Sequence, residues 1–165
     1  MKGKVIKYIQ KNINTDLIIP ARYLVNSNPD FLAQHCMEDI DPEFIQKITK
    51  NDFTIIVANS NFGCGSSREQ APIAIKAAGI QCVIAPSYSR IFFRNAINIG
   101  LPIIEFKDIE HLNTGDQLDI DLKKGILKNL TTKKEYEIKK MPLFLQELIL
   151  AGGLVNFAKN EIAKE

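Results

Sequence analysis

Short apolar runs alternate with helical patterns through the first two thirds of the chain. Residues 53–58 are rich in β-branched side chains, are bounded by polar residues and are too few for a helix, so they predict a buried strand. Residues 71–78 predict a helix that ends at Gly79. The same alternation predicts a strand, a helix and a strand at 82–86, 88–98 and 101–105. This order predicts parallel strands joined by right-handed crossovers.

The two ends of the chain have different patterns. Residues 4–9 alternate weakly and predict an opening strand. In the last third, polar and apolar positions alternate between turns, which predicts antiparallel strands with one solvated face at 115–122, 125–128 and 136–138. Apolar spacing after Pro142 predicts a closing helix, and residues 154–164 predict a terminal one.

Residues 21–30 show little periodicity and predict a long loop, which in a compact domain is functional or mobile. Asp41 followed by Pro42 predicts the N-cap and first position of a helix. Ser87 predicts the cap of a later helix. The helix capped by Asp41 is predicted at 41–48, and the one capped by Ser87 at 88–98. A further short helix is predicted at 31–36.

Length and charge narrow the functional class. A chain of 165 residues predicts a single domain spanning 1–165, and a net charge of +2 with scattered lysines argues against nucleic-acid binding. No run of 18 apolar residues and no apolar leader appears, so we expect neither membrane insertion nor secretion.

Three cysteines, Cys36, Cys64 and Cys82, lie far apart without a C-x-x-C pair. An odd and sparse set of cysteines argues against a disulfide framework and favours a cytoplasmic protein. The same spacing argues against metal or iron–sulfur binding by this chain.

The chemistry is concentrated in residues 59–70, Asn-Ser-Asn-Phe-Gly-Cys-Gly-Ser-Ser-Arg-Glu-Gln. Its glycines at alternate positions predict positive φ angles or close backbone approach to a ligand. Two serines and an arginine follow where a strand gives way to a helix, and unpaired N–H groups at a helix start favour anions. Ligands of parallel sheets bind at the carboxyl ends of strands. The segment therefore predicts a site for a carboxylate or an oxyanion.

A structural alternative exists for the same residues. Ser66 and Glu69 have the spacing of a capping box, in which each side chain bonds the other's backbone amide. Pro72 lacks an amide donor and clashes with the carbonyl of Arg68 in a continuous helix. Either the regular helix begins nearer Pro72, or the turn at 66–70 is irregular.

Residues 61–70 resemble the signature of the swivelling domain of the aconitase superfamily. More closely, they resemble the free-standing small subunits of 3-isopropylmalate dehydratase and homoaconitase. Further matching blocks follow in the family's order at 14–20, 23–24, 87–96 and 151–154. The resemblance implies an α/β fold, a swivelling β/β/α domain with a mostly parallel core sheet, flanking helices and an antiparallel C-terminal strand region.

The resemblance also implies a hydro-lyase subunit of leucine biosynthesis. Its reaction would interconvert 2-isopropylmalate and 3-isopropylmalate by dehydration and rehydration, together with a large subunit that carries a [4Fe–4S] cluster. A homoaconitase, a citramalate dehydratase or a dimethylmalate dehydratase small subunit is the alternative. So is a non-catalytic module that binds dicarboxylates.

Matching positions carry the family's roles onto this chain. Ser66 matches the catalytic base, which acts as an alkoxide. The substrate contacts implied by the resemblance are Gly65, Ser67, Arg68, Thr15, Asp16, Tyr23 and Val25. Val25 lies where the family is thought to sort substrates, and an apolar residue there suits an isopropyl group better than an additional carboxylate.

Overall fold

A seven-stranded sheet organises the chain, in the strand order β4-β3-β2-β1-β5-β6-β7. The computed structural model describes residues 1–163, so the predicted helix end at Lys164 lies outside them. The strands are β1 (Lys2–Lys7), β2 (Phe53–Val57), β3 (Cys82–Ala85), β4 (Ile103–Glu105), β5 (Gln117–Asp121), β6 (Ile126–Asn129) and β7 (Lys134–Glu137).

Seven α-helices among the described residues flank this sheet. They are α1 (Thr15–Ile18), α2 (Pro29–Gln34), α3 (Phe44–Asn51), α4 (Gln70–Ala77), α5 (Arg90–Asn98), α6 (Leu143–Leu150) and α7 (Leu154–Ile162). Short 3-10 helices occupy Ala21–Tyr23 and Ile109–His111. The segment predicted as a loop at 21–30 therefore contains one 3-10 helix, and α2 begins at Pro29, two residues before the helix predicted at 31–36.

The sheet has a parallel and an antiparallel half. Strands β1 to β4 pair in parallel, and β5 to β7 pair antiparallel. Strand β1 joins the halves because it pairs with β2 on one side and with β5 on the other. The predicted α/β class, with helices around a parallel core and an antiparallel C-terminal region, is confirmed.

One face of the parallel half is covered by helices. Ile6, Ile56 and Val83 point into a core shared with Ile75 of α4 and Phe92 of α5. Burying each such side chain stabilises the fold by about 1.5–3 kcal/mol. Because the central strands are buried on both faces, β3 is apolar throughout and β2 is interrupted only by Thr54, instead of alternating.

The opposite face is covered by the sheet itself. Val5, Ile55 and Ile84 share a second core with Leu118 and Leu127 of the antiparallel half. The sheet must therefore curl, so that β5 and β6 close over the face that the helices leave open. Strand β5 alternates buried and accessible residues, as predicted for a strand with one solvated face.

Two predicted helix starts are wrong by a few residues. Helix α3 begins at Phe44, because Asp41 instead closes a turn by accepting the Glu43 amide at 3.2 Å. Helix α5 is capped by Ser89, whose hydroxyl accepts the amide of the third helical residue, Phe92, at 3.3 Å. Ser87 accepts a hydrogen bond from the neighbouring loop, so tertiary contacts decide which serine caps the helix.

Candidate active site

Loops from three adjacent parallel strands meet at the carboxyl edge of the sheet. The loop after β2 is bonded to the loop after β1, since Gly63 N donates to Ile13 O and Thr15 N donates to Cys64 O, both at 2.8 Å. It is bonded to the loop after β3 as well, because Ser89 N donates to Phe62 O at 3.1 Å. The glycine-rich segment is thus held on both sides, at the edge where parallel sheets bind ligands.

The two glycines of this segment have positive φ, as predicted. Gly63 has φ +72° and lies against Phe92, where an added Cβ would be 2.1 Å from Cγ of that ring. Gly65 has φ +96°, and its added Cβ would be 3.3 Å from Oγ1 of Thr15. The close approaches at these glycines are to the protein's own side chains.

The capping box predicted for Ser66 and Glu69 is wrong. The sequence predicts the anion site at the N-terminus of a helix, but the helix begins after Ser66, Ser67 and Arg68. Helix α4 starts at Gln70, and its N-cap Glu69 makes no side-chain capping bond. Pro72 is therefore the third helical residue, where an amide has no intrahelical partner to lose. The alternative of a helix beginning near Pro72 is confirmed. Ser66 lies a turn before the helix, where the macrodipole's field has largely decayed.

Ser66 and Ser67 are both solvent-exposed at the outer side of this loop. The carbonyl of Ser67 accepts a hydrogen bond from Nδ2 of Asn95 at 3.1 Å, which fastens the loop to α5. The backbone is therefore fixed while both serine residues remain exposed. Such an arrangement presents reactive groups to a ligand without ordering the loop at the time of binding.

Arg68 is held by Asp16 from the loop after β1. Its Nη1 lies 2.5 Å from Oδ1 of Asp16 and 3.4 Å from the carbonyl of Ile19. The guanidinium is largely buried and the carboxylate is half-exposed, so the pair sits at the mouth of the site. The structure thereby brings together two residues, 52 positions apart, that the sequence predicted as substrate contacts.

Thr15 lies beneath Ser66. It is only 1% exposed, and its Oγ1 accepts the Ser66 amide at 3.1 Å and lies 3.2 Å from Ser66 Oγ. Asn14 fixes the backbone here by capping α1 through its side chain. Thr15 therefore contacts the predicted base, with Ser66 between its hydroxyl and the exposed surface.

Tyr23 belongs to a separate cluster on the following segment. The Tyr23 hydroxyl donates to Glu38 at 2.7 Å, and its ring stacks on His35 with centroids 3.6 Å apart. Hydrogen bonds from His35, Tyr23 and Arg22 lower the pKa of Glu38 to about 2. Val25 is 91% exposed. Glu38 and His35 are not among the residues predicted from the sequence, although their spacing of three residues is compatible with a side-chain contact.

Within residues 1–163, no group of three or more His, Cys, Asp or Glu side chains is arranged to hold a metal ion. Burial raises the pKa of the Cys36 and Cys82 thiols far above the usual range. Cys64, in the glycine-rich segment, is half-buried. None of the described helices is long and apolar enough to span a membrane.

The fold and the loop chemistry together define a domain of the aconitase class. Residues 26–109 match the family model of the aconitase C-terminal domain. The chain is 57% identical over 165 residues to the 3-isopropylmalate dehydratase small subunit of Caldicellulosiruptor saccharolyticus, covering 99% of this chain and 94% of the relative. It is 54% identical over 162 residues to that of Clostridium botulinum, covering 98% and 99%.

A solved structure of 3-isopropylmalate dehydratase from Methanocaldococcus jannaschii superposes with a TM-score of 0.90 at 43% identity, covering 98% of this chain and 95% of that one. The chain belongs to the family of 3-isopropylmalate dehydratase small subunits.

Proposed function

We propose that this chain is the small subunit of a hydro-lyase that interconverts 2-isopropylmalate and 3-isopropylmalate by removing and re-adding water. The observation that carries the proposal is the run Ser66–Arg68 at the carboxyl edge of the sheet, where two exposed serines precede an arginine that is paired with Asp16. Thr15 lies beneath Ser66. Family membership supports the reaction class. The enzyme is active when a large subunit completes the site.

Ser66 acts as the base. Dehydration requires a proton to leave the carbon next to a carboxylate, and an exposed serine oxygen fixed on a rigid loop is placed to accept it. A serine alkoxide is unfavourable in water. Hydrogen-bond donors and cations near the oxygen stabilise it, and they act more strongly once substrate and partner exclude water.

Arg68 binds a substrate carboxylate. Hydrogen bonds to Asp16 and Ile19 engage Nη1, which leaves the remaining N–H groups of the guanidinium for a ligand. Planar two-point contact with a carboxylate is the geometry that arginine favours. Ser67 and Gly65 contact the same end of the substrate, and Asp16 keeps the arginine oriented in its absence.

Val25 and Tyr23 contribute to substrate choice. An exposed valine gains from burial against a branched alkyl group, by about 1–3 kcal/mol, and gives no counter-charge to an additional carboxylate. This difference favours isopropylmalate over a tricarboxylate substrate.

The large subunit is the macromolecular partner, and the complex is cytoplasmic. A [4Fe–4S] cluster on that subunit would supply the Lewis acid that helps the substrate hydroxyl depart. This chain supplies the base, the carboxylate contacts and the substrate-sorting segment.

The test is an anaerobic assay of the chain with its cognate large subunit. Absorbance of the unsaturated product is followed with 3-isopropylmalate, citramalate and homocitrate in parallel. We expect turnover to require both chains and to prefer 3-isopropylmalate. Preference for another substrate contradicts the role of Val25, and no turnover with an intact cluster contradicts the proposed function.

Ser66→Ala tests the base. We expect turnover of the complex to fall by about 10²–10⁴-fold, as for loss of a general base, with co-elution of the two subunits unchanged. Ser60→Ala removes a hydroxyl from the same loop and is the matched control, expected to keep wild-type turnover. Normal turnover by Ser66→Ala would exclude Ser66 as the base.

A further inference from the structure

The hydroxyl of Thr15 lies next to both the amide and the hydroxyl of Ser66, the proposed base. A residue that only contacted the substrate would not need these two contacts. Thr15 is 1% exposed, and its Oγ1 accepts the Ser66 amide at 3.1 Å. A threonine hydroxyl also carries one proton to donate. The described structure places the Oγ of Ser66 within reach of it, at 3.2 Å.

Burial decides the direction of this hydrogen bond. A buried hydroxyl that donates to nothing costs about 1–3 kcal/mol, so the proton of Thr15 needs an acceptor. Ser66 is exposed and gives its own proton to water or to a ligand at no such cost. Thr15 is therefore the donor and Ser66 Oγ the acceptor, with the Ser66 proton directed outwards.

We infer that Thr15 is a positioning residue whose hydroxyl donates to Ser66 Oγ and stabilises its deprotonated form. This inference rests on the proposed function of Ser66 as the base, and it gives that base a dedicated donor from a different loop. A hydrogen bond to the charged form of a group favours that form. The donor is preorganised, because it already points at the oxygen before any charge develops.

The surrounding backbone holds this donor in place. Thr15 N donates to Cys64 O at 2.8 Å, so the threonine is fastened to the same segment whose serine it contacts. Asn14 caps the helix that Thr15 opens. Gly65 lacks a side chain where an added Cβ would be 3.3 Å from the threonine hydroxyl. The threonine side chain is β-branched and therefore stiff about χ1, which limits alternative directions for the hydroxyl.

The first test needs neither the large subunit nor a substrate. In the full chain, Ser66→Cys is combined with Cys64→Ala, and alkylation by iodoacetamide is followed against pH. The other cysteines are fully buried and serve as an unreactive background. We expect Thr15→Val, which removes the hydroxyl at nearly constant volume, to move the midpoint of thiol reactivity up by about one pH unit. Thr15→Ser keeps the donor and is expected to leave the midpoint unchanged.

If the pH midpoint of thiol reactivity is the same with Thr15 and with Thr15→Val, the inference is overturned. So does an equal shift in Thr15→Ser, because that result assigns the effect to the lost methyl group. Thr15→Ala is a second variant without the hydroxyl and is expected to behave as Thr15→Val does. Should Thr15→Val fail to fold, Thr15→Ala decides, and a wild-type midpoint in that variant likewise overturns the inference.

The second test uses the complex with its large subunit. We expect Thr15→Val to lower kcat by about 10²-fold, to move the acidic limb of the kcat profile to higher pH and to change KM less than threefold. Thr15→Ser is expected to restore both kcat and profile. An unchanged profile contradicts the donor role, whereas absence of turnover in the wild-type complex contradicts the proposed function instead.

Discussion

Replacing Gly63 by alanine tests how the active-site loop is fixed to the core. The new Cβ would be 2.1 Å from Cγ and 2.5 Å from Cβ of Phe92. Those atoms lie at the base of the side chain, which is 1% exposed. The ring is also held edge-on against Phe62, with centroids 5.2 Å apart, and stacked near Tyr88. Phe92 therefore has nowhere to move, and the loop itself must shift.

Two terms add to the cost of this substitution. The backbone of Gly63 has φ +72°, and an alanine in the left-handed region costs about 1–2 kcal/mol. Overpacking against an immobile ring adds about 1–3 kcal/mol. We expect the free energy of unfolding to fall by about 2–5 kcal/mol. At about 2–4 °C per kcal/mol for a domain of this size, Tm should fall by roughly 4–20 °C.

Gly79→Ala is the matched control. Gly79 has φ +95°, and an added Cβ there meets nothing within 4 Å, so the control carries the backbone cost alone. Urea and thermal unfolding of both variants, followed by circular dichroism, separate the two terms. Equal losses of stability in the two variants would refute the argument that Phe92 fixes the loop.

Three further predictions follow from packing and charge. Glu38 has its pKa lowered from 4.5 to about 2, so the stability it contributes is complete above about pH 4.5 and is lost as pH falls towards 2; wild-type Tm should drop more steeply across that window than Tm of Glu38→Gln. A parallel decline in the two proteins would contradict this. Native protein should react with a thiol reagent first at Cys64, while Cys36 and Cys82 react only on unfolding; rapid labelling of all three at low denaturant would show that the core opens locally. Gly100→Ala should lose several kcal/mol, because its added Cβ would be 2.6 Å from the backbone of Gly152; chemical denaturation measures this, and Gly115→Ala, with open space around it, is the control.

The strand–loop–helix unit at the centre of the site could be predicted from sequence because its signals are local. Residues 53–57 form a strand and 70–77 a helix, close to the predicted 53–58 and 71–78. Glycines at 63 and 65 predict positive φ, and both have it. Neither prediction depends on which parts of the chain meet in space.

The errors arise where a distant partner decides between local options. Ser87 and Ser89 are both plausible caps, and the neighbouring loop binds the first and leaves the second to cap α5. Ser66 and Glu69 have the spacing of a capping box, but Thr15 binds the Ser66 amide instead. The sequence placed Thr15 and Asp16 near the site only through the resemblance, since 51 residues separate Thr15 from Ser66.

The position of β1 has a consequence for how the chain is made. This strand is synthesised before both of the strands that pair with it, and β5 follows only at residues 117–121. One edge of β1 therefore stays unpaired until β5 has been synthesised, and an open edge is a template for aggregation. Its sequence, Lys-Gly-Lys-Val-Ile-Lys, carries three lysines. Charged residues of this kind discourage pairing with another chain, so the lysines of β1 oppose aggregation until β5 pairs with this strand.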